Sequence, residues 1–400
     1  MKKLHFLEVE GNTKGFYSFL ALFGLIALTG IFSAYYMEHH GHWVTGMSNQ
    51  VIWGTPHVFA IFLIVAASGA LNVASISSVF AKTAYKPLSR LSGMLAMALL
   101  AGGLVVLLLD LGRPDRLIVA MTQFNFVSIF TWNIFLYTGF MGIVGIYLWT
   151  MMDRPYNNLT KKAGMAAFIW RLVLTTGTGS IFGFLISREA YDSALLAPMF
   201  IIMSFAFGLA FFILVLMASY KYTQRELGDY MVNRLKNLLG VFVAAVLYFV
   251  IVYHITNLYS ADHRGVTTFI LTDGGIYTFL FWVVQIALGS LLPLVLLYGP
   301  TGKNRTMIGL ASALIILGGM AQLYVIIIGG QAYPMHLFPG MEVSSSFYDG
   351  VVASYVPSLP EVLLGLGGFG VTLLLVTVAV AALKFLPASL ADSVADPHGK

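Results

Sequence analysis

The sequence contains no cysteine and very little charge. Of its 400 residues only 10% are Asp, Glu, Lys or Arg, against roughly 25% in soluble domains. Without thiols the protein can hold no iron–sulfur cluster, covalently attached haem, thiolate metal site or disulfide. A redox centre in such a protein must use other ligands or belong to a partner.

In place of charge the sequence has long apolar stretches. Hydrophobic residues make up 58% of it, and the mean hydropathy is +0.85. A helix needs about 20 apolar residues to cross a bilayer, and strands would leave backbone groups unpaired in lipid. The sequence therefore predicts an all-α integral membrane protein. Its ten predicted transmembrane helices lie at about 16–37, 54–80, 88–109, 128–151, 164–187, 194–220, 237–259, 274–299, 306–330 and 360–384.

Basic residues fall unevenly on the loops between these spans. If the N-terminus is cytoplasmic, 18 of the 22 Lys and Arg residues lie on its side, and four lie on the other (Arg113, Arg116, Arg188 and Arg264). Such an excess marks the cytoplasmic side, so we expect both termini in the cytoplasm. Topology accounts for the net charge of +5, and nucleic acid is not an expected partner.

The loops predict no second domain, so residues 1–400 are expected to form a single transmembrane domain. The longest loop, 331–360, lies on the outer face, and its four prolines and scattered aromatic residues favour an ordered cover or a docking surface. A shorter outer loop, 110–127, begins DLGRPDR. The polar tail, 385–400, is expected to be cytoplasmic and frayed.

Ionisable side chains inside the spans are few, and each costs about 2.5–3.5 kcal/mol at mid-bilayer. Four lie near the predicted outer boundary, namely His57, Asp110, His254 and Glu361. Pro56 fixes the first turn of a helix and would hold His57 in a defined direction. The imidazole could exchange a proton with an amphiphilic substrate, or it could simply hydrogen-bond a carbonyl at the interface. Trp53 could belong to the same site as His57, or to the belt of aromatic residues at the membrane interface.

Arg171 lies about two turns inside the fifth span. Its guanidinium could extend to the cytoplasmic surface beside Trp170, or it could pair within the bundle and line a polar path. Ser68 and Asn72 on the second span and Thr175 on the fifth have compatible depths. The second alternative predicts a hydrated proton path through these side chains toward the outer boundary.

A resemblance to the NrfD-type membrane subunits of respiratory complexes is carried by MLAMALLAGGLVVLLLDLGRPDR, by WGTPHVFAIFLIVAASGAL and by the ten-helix layout. It extends over essentially the whole sequence and implies a multi-pass protein of a bacterial or archaeal cytoplasmic (inner) membrane. The loop QAYPMHLFPGMEVSSSFYDGVVASYVPSLPE is similar to the DsrP-type branch, which serves DsrMKJOP complexes associated with sulfite reduction. The resemblance implies two four-helix bundles, helices 2–5 (about 54–187) and helices 6–9 (about 194–330), flanked by helices 1 and 10.

The resemblance also implies a function. Such a subunit has no metal of its own and exchanges electrons between a quinone, menaquinone or ubiquinone, near the periplasmic face and a docked ferredoxin-like iron–sulfur subunit similar to DsrO. Other DsrMKJOP-type subunits would carry further clusters and haems. We expect His57 to accept a quinol proton, Asp110 to orient that imidazole or relay its proton, and Arg113 to hold Asp110. The implied quinone contacts are Trp53, His57, Asp110, Arg113, Trp132, Asn133 and Tyr137.

Three other interpretations stay open, and one of them is a purely structural anchor. A b-type haem held by His57 and His254 between the bundles would also serve electron transfer. A secondary transporter would suit ten helices, although the sequence shows no pair of Gly/Pro-broken spans at matching positions and few mid-membrane charges.

Overall fold

The computed structural model describes residues 5–11, 13–335 and 350–395. Within them, ten helices are long and apolar enough to cross a membrane, which confirms the prediction of an all-α integral membrane protein. We number these spans in order along the sequence: α1 Lys14–His40, α2 Thr55–Ser78, α3 Thr83–Leu109, α4 Ile129–Met152, α5 Arg154–Gly183, α6 Leu196–Tyr222, α7 Asp229–Tyr259, α8 Ile276–Tyr298, α9 Arg305–Ala332 and α10 Leu359–Ala382.

The observed helices differ from the predicted windows mainly at polar ends. α7 begins at Asp229 and not near residue 237. Its first turns carry Arg234 and Lys236, which a hydropathy window excludes although the helix continues through them. Hydropathy therefore locates the apolar part of a helix and misses the charged turns beyond it.

The spans pack as two groups of four with a flanking pair. In the first bundle, α2 to α5, each helix packs on the next and α5 returns to α2; in the second bundle, α6 to α9, the same order holds. α10 packs on α2 and α3, and α1 packs chiefly on α10. The apolar window of α2 is 89% buried and that of α6 78%, against 11% for α1, so α2 and α6 form the centre.

The contact between α2 and α6 depends on small residues. A Cβ atom added at Gly69 would strike the carbonyl of Ser204, and one added at Gly208 would strike the backbone of Gly69 and Ala70. Small side chains let helix backbones approach closely in membranes. This crossing joins the two bundles through one hydrophobic core.

Both described ends of the protein lie at the same end of the bundle. Phe6–Leu7 pairs antiparallel with Leu386–Pro387, and Phe385 is buried. The expectation that the tail frays is therefore wrong for its described part, because backbone pairing and apolar burial hold it in place. We call the opposite end, where α1 ends and α2 begins, the distal end.

Part of the predicted loop 331–360 can be compared with the structure. Residues 336–349 lie outside the described residues. In the rest, Gln331 and Ala332 continue α9, the Ala353 amide donates to the Ala332 carbonyl at 2.9 Å, and Tyr355 is buried. The described part of this loop thus packs over the distal helix ends.

Candidate functional site

A large apolar cavity lies in the distal half of the first bundle. Its volume is about 450 Å³, which falls in the range of small-molecule sites, about 300–1,000 Å³. Leu, Ile and Phe side chains make up most of the wall, and Ile327 of the second bundle contributes to it. Polar groups enter the wall from His57, Asn133, Tyr137 and Thr138. Such a cavity suits an amphiphilic ligand whose polar atoms are few.

His57 and Asp110 meet at the wall of this cavity. Pro56 lies in the first turn of α2 and sets its start, so His57 projects from that turn, while Asp110 directly follows the last residue of α3. His57 Nδ1 and Asp110 Oδ2 are 2.7 Å apart, and the side chains are 19% and 1% exposed. The two atoms are in close contact, although the pair does not meet the geometry of a hydrogen bond. A buried carboxylate thus supports an imidazole that lines the cavity.

α4 brings Asn133 and Tyr137 to the same cavity. Asn133 Nδ2 donates to the carbonyls of Ile129 and Gly177 at 2.9 and 3.1 Å. Its Oδ1 has no hydrogen-bond partner among the described residues, although Asn133 is only 2% exposed. Buried polar atoms in folded proteins nearly always have a partner. Asn133 Oδ1 is therefore an unpaired buried acceptor on a residue that lines the cavity.

Arg113 does not contact Asp110. Its Nε and Nη2 donate to Asp115 at 3.0 and 2.9 Å, and both side chains are exposed. That hydrogen bond holds the pKa of Asp115 below its usual range. The expectation that Arg113 holds Asp110 is wrong, because a helical turn starting at Pro114 brings the nearer carboxylate of Asp115 to the guanidinium.

The two predicted tryptophan contacts differ in position. Trp53 lines the cavity, with its ring 6.2 Å from that of His57 and 5.7 Å from that of Phe182. Trp132 is 49% exposed, does not line the cavity, and donates from Nε1 to the Phe126 carbonyl at 3.0 Å. On α4 the next residue, Asn133, faces the cavity, so Trp132 points away from it.

Gln331, which the sequence did not single out as a site residue, fixes the backbone that carries Trp53. Its Oε1 accepts from the amides of Ile52 and Trp53 at 3.0 Å, and its Nε2 donates to the carbonyls of Trp53 at 3.0 Å and Ile327 at 2.8 Å. The side chain belongs to α9, so the second bundle positions one wall of the first-bundle cavity. A signal existed in VIIIGGQAY, where one amide interrupts an apolar stretch, but a search for ionisable groups passes over it.

Glu361 is buried and serves the fold. Its Oε1 accepts from the Tyr355 hydroxyl at 2.7 Å, and its Oε2 accepts from the amides of Gly46 and Ser358 at 2.8 Å. Burial raises the pKa of Tyr355, so its hydroxyl stays protonated and donates. The carboxylate caps α10 and ties two loops to it, and it does not line the large cavity.

Ser68, Asn72, Arg171 and Thr175 form one hydrogen-bonded group inside the first bundle. Arg171 donates to Asn72 Oδ1 at 2.9 Å and to the Ser68 carbonyl at 3.4 Å, and the Thr175 hydroxyl donates to Ser68 Oγ at 2.6 Å. Arg171 is 1% exposed, so its guanidinium does not extend to the surface. None of the described carboxylates pairs with this cation. The structure thus brings together the four residues of the predicted polar path.

His57 and His254 line different cavities. His254 of α7 lines a cavity of about 20 Å³ in the second bundle, together with Gln285 and Gln322, and no residue is shared with the large cavity. Two axial ligands of one haem must face a common space. The structure does not bring these imidazoles together in that way.

The region that holds these side chains is similar to a known protein family. Residues 43–335 match the family described as polysulphide reductase, NrfD. The chain belongs to the NrfD family. The matched NrfD region contains His57, Asp110, Asn133 and Gln331, and it ends before α10.

NrfD-type relatives extend the similarity to nearly the full length. The Hdr-like menaquinol oxidoreductase integral membrane subunit of Archaeoglobus fulgidus is 29% identical over 396 residues, 98% of this sequence and 99% of the relative. A selenate reductase subunit from Mesobacillus selenatarsenatis is 24% identical over 96% and 97%. A polysulfide reductase chain from Wolinella succinogenes is 26% identical over 71% and 96%.

Proposed function

We propose that this NrfD-family subunit binds quinone or quinol, menaquinone or ubiquinone, in the large cavity and exchanges electrons with an iron–sulfur cluster of a partner subunit. The observation that carries the proposal is the 2.7 Å contact of His57 Nδ1 with Asp110 Oδ2 at the wall of an apolar cavity of about 450 Å³. An apolar wall with a few placed polar groups suits a lipid-soluble ring and its tail. The relative named as part of a menaquinol oxidoreductase supports a quinol as the substrate.

The substrate supplies the redox chemistry, since oxidation of a quinol to a quinone releases two electrons and two protons. Because Nδ1 of His57 faces Asp110, Nε2 is the ring nitrogen that remains for a substrate hydroxyl. A proton accepted there creates an imidazolium, which the buried Asp110 carboxylate stabilises. Asn133 Oδ1 accepts a hydrogen bond from the second hydroxyl and fixes the orientation of the ring. The second proton leaves to solvent, because an amide oxygen does not take it up. The electrons pass to the partner's cluster.

The polar group around Arg171 suits a proton path between the cavity and the membrane surface at which the termini lie. Arg171, Ser68, Asn72 and Thr175 give a continuous hydrogen-bonded segment in the apolar bundle. Arg171→Met should leave assembly intact, because an apolar side chain of similar length can replace a buried charge. It should slow the proton release that a pH dye measures during quinol turnover. Equal proton and electron rates in the native protein and the variant would remove Arg171 from the path.

The finer assignment is a DsrP-like subunit in dissimilatory sulfur metabolism, with a DsrO-like periplasmic ferredoxin-type subunit docked on the distal face. The excess of basic residues at the opposite end supports this orientation, with both termini cytoplasmic. Labelling of the exposed residues of loop 110–116 and loop 331–360 should fall when that subunit is bound. Equal labelling with and without it would move the docking face elsewhere.

The central experiment is His57→Ala in the assembled complex, measured as quinol-dependent reduction of the partner in membranes. A positioned general base contributes about 10²–10⁴-fold, so turnover should fall by at least the lower of these factors. His5→Ala changes an exposed imidazole at the opposite end of the bundle and should leave turnover unchanged.

Native turnover in the His57→Ala variant at ordinary quinol concentration would refute the assignment. A reduced-minus-oxidised spectrum of the purified protein tests the haem alternative at the same time. A b-type band that disappears in the His57→Ala variant would replace the quinol proposal with a haem-bearing anchor.

A further inference from the structure

The second bundle contains a small polar cavity that the proposed quinol chemistry does not use. Its volume is about 20 Å³, and its polar wall groups are His254 of α7, Gln285 of α8 and Gln322 of α9. The rest of the wall is apolar and includes Met199 of α6 and Phe281 of α8. All four helices of the bundle thus surround it.

Two polar atoms at this cavity lack a partner among the described residues. They are His254 Nδ1 and Gln322 Nε2. Gln322 is only 3% exposed, and the ring of Phe281 lies 4.8 Å from that of His254. A buried polar atom left unpaired is costly, and in folded proteins such atoms are satisfied by protein or by ordered water. Their chemistry calls for a small ligand that can both donate and accept hydrogen bonds.

The volume of the cavity limits which ligand can occupy it. A single water needs about 10–15 Å³ of accessible space and two to four polar partners. The cavity offers about 20 Å³ and the side chains of His254, Gln285 and Gln322. A neighbouring cavity of about 10 Å³ shares Gln285 and Gln322 but is smaller. The space accommodates one water and excludes any ring-sized ligand.

The backbone around this cavity departs from regular α-helix. Ile270, Phe281, Gln285, Val325 and Ile326 all line the cavity from π-helical segments. The segments are Phe269–Asp273, Leu280–Leu291 and Val325–Gly329. π-helical turns are rare and are frequently found at functional sites. Three π-helical segments around one cavity indicate a binding site and not a packing defect.

We propose that the second bundle holds one internal water molecule, bound between the His254 imidazole and the Gln322 amide within the π-helical wall. This water site is separate from the quinol cavity and does not depend on quinol binding. It gives the second bundle a polar centre of its own next to an imidazole.

The test is hydroxyl-radical labelling of the intact complex in H₂¹⁸O, read by mass spectrometry of α6 peptides. Radiolysis of a bound water labels side chains beside it even when they are buried. Met199 lines the cavity and is 2% exposed, whereas Met203, one turn later on α6, is 0% exposed and lines none of the described cavities. Met199 should take up several-fold more ¹⁸O than Met203. Equal labelling of these two residues in the native protein would overturn the proposal.

A variant tests whether Gln322 holds this water. Gln322→Met keeps the length of the side chain and removes the amide, so the water loses one partner and labelling of Met199 should fall to the level of Met203. Labelling of Met199 that is unchanged in a folded Gln322→Met variant would overturn the role of Gln322. If the variant does not assemble, the native ratio of Met199 to Met203 still decides whether water is present.

Discussion

The two bundles place their distal histidines in contrasting surroundings. In the first bundle His57 lines an apolar cavity of about 450 Å³ and has the Asp110 carboxylate behind it. In the second bundle His254 faces about 20 Å³ of space and the amides of Gln285 and Gln322. A carboxylate favours a protonated imidazole, whereas an amide does not supply the compensating charge. The first arrangement suits proton transfer from a substrate, and the second suits a bound water.

The two bundles are nevertheless joined at these two cavities. Val325 and Ile326 line the small cavity, and the next residue, Ile327, lines the large one. The hydroxyl of Tyr191 donates to the Ile327 carbonyl at 2.7 Å, and Gln331 bonds the same carbonyl. One π-helical segment therefore lies against both cavities, so the second bundle supports the site as well as the fold.

Among the groups that surround the two histidines, the largest effect is expected at the carboxylate that distinguishes them. Asp110→Asn keeps the shape and removes the charge. The imidazolium that forms at His57 then loses the charge that stabilises it, so kcat should fall roughly tenfold to hundredfold, which corresponds to about 1.4–2.7 kcal/mol in the activation barrier. KM should change little, because Asp110 does not line the cavity. The measurement is quinol-dependent turnover over a range of quinol concentrations.

The control for that variant is Asp262→Asn, an exposed carboxylate outside the large cavity. Its turnover should match that of the native protein. If Asp110→Asn behaves like Asp262→Asn, the charge of Asp110 does not assist proton transfer at His57. The different surroundings of His57 and His254 would then have no effect on the reaction.

A smaller effect is expected at Asn133, the unpaired acceptor of the large cavity. Asn133→Ala removes Oδ1, and a neutral hydrogen bond contributes about 0.5–1.5 kcal/mol, so KM for quinol should rise about twofold to tenfold. Asn158→Ala makes the same change at an exposed position near the opposite end. An unchanged KM in a variant of native thermal stability would show that the ring is oriented by other groups.

The sequence was sufficient for the fold class and for part of the site. Ten apolar windows predicted ten spans, because length and hydropathy suffice for a helix in lipid. His57 and Asp110 stood out because ionisable groups are costly there. Only the family resemblance predicted that Asp110 orients this imidazole, and the 2.7 Å contact depends on how α2 packs against α3.

The remaining differences between the predicted and the observed site have two causes. One is competition between neighbouring carboxylates for the same cation, and the other is the role of polar side chains that carry no charge. Arg113 pairs with Asp115 because the nearer carboxylate is presented by the following turn. Gln331 and Gln322 carry no charge, so only the structure shows that they matter. Gln331 has backbone partners, and Gln322 Nε2 has none among the described residues. Amides within apolar spans would be the better signal for such residues.

The smallest effect is expected where the second bundle supports the cavity of the first. Gln331→Asn shortens the amide by one methylene, so it cannot reach both the 52–53 backbone and the Ile327 carbonyl. Trp53 should lose its fixed position and KM should rise by less than in Asn133→Ala, with kcat unchanged. Gln224→Asn makes the same change at the opposite end, where Asn tolerates the positive φ of 53°. If the two variants have the same KM, Gln331 does not shape the large cavity, because its hydrogen bonds then hold no residue that the substrate contacts.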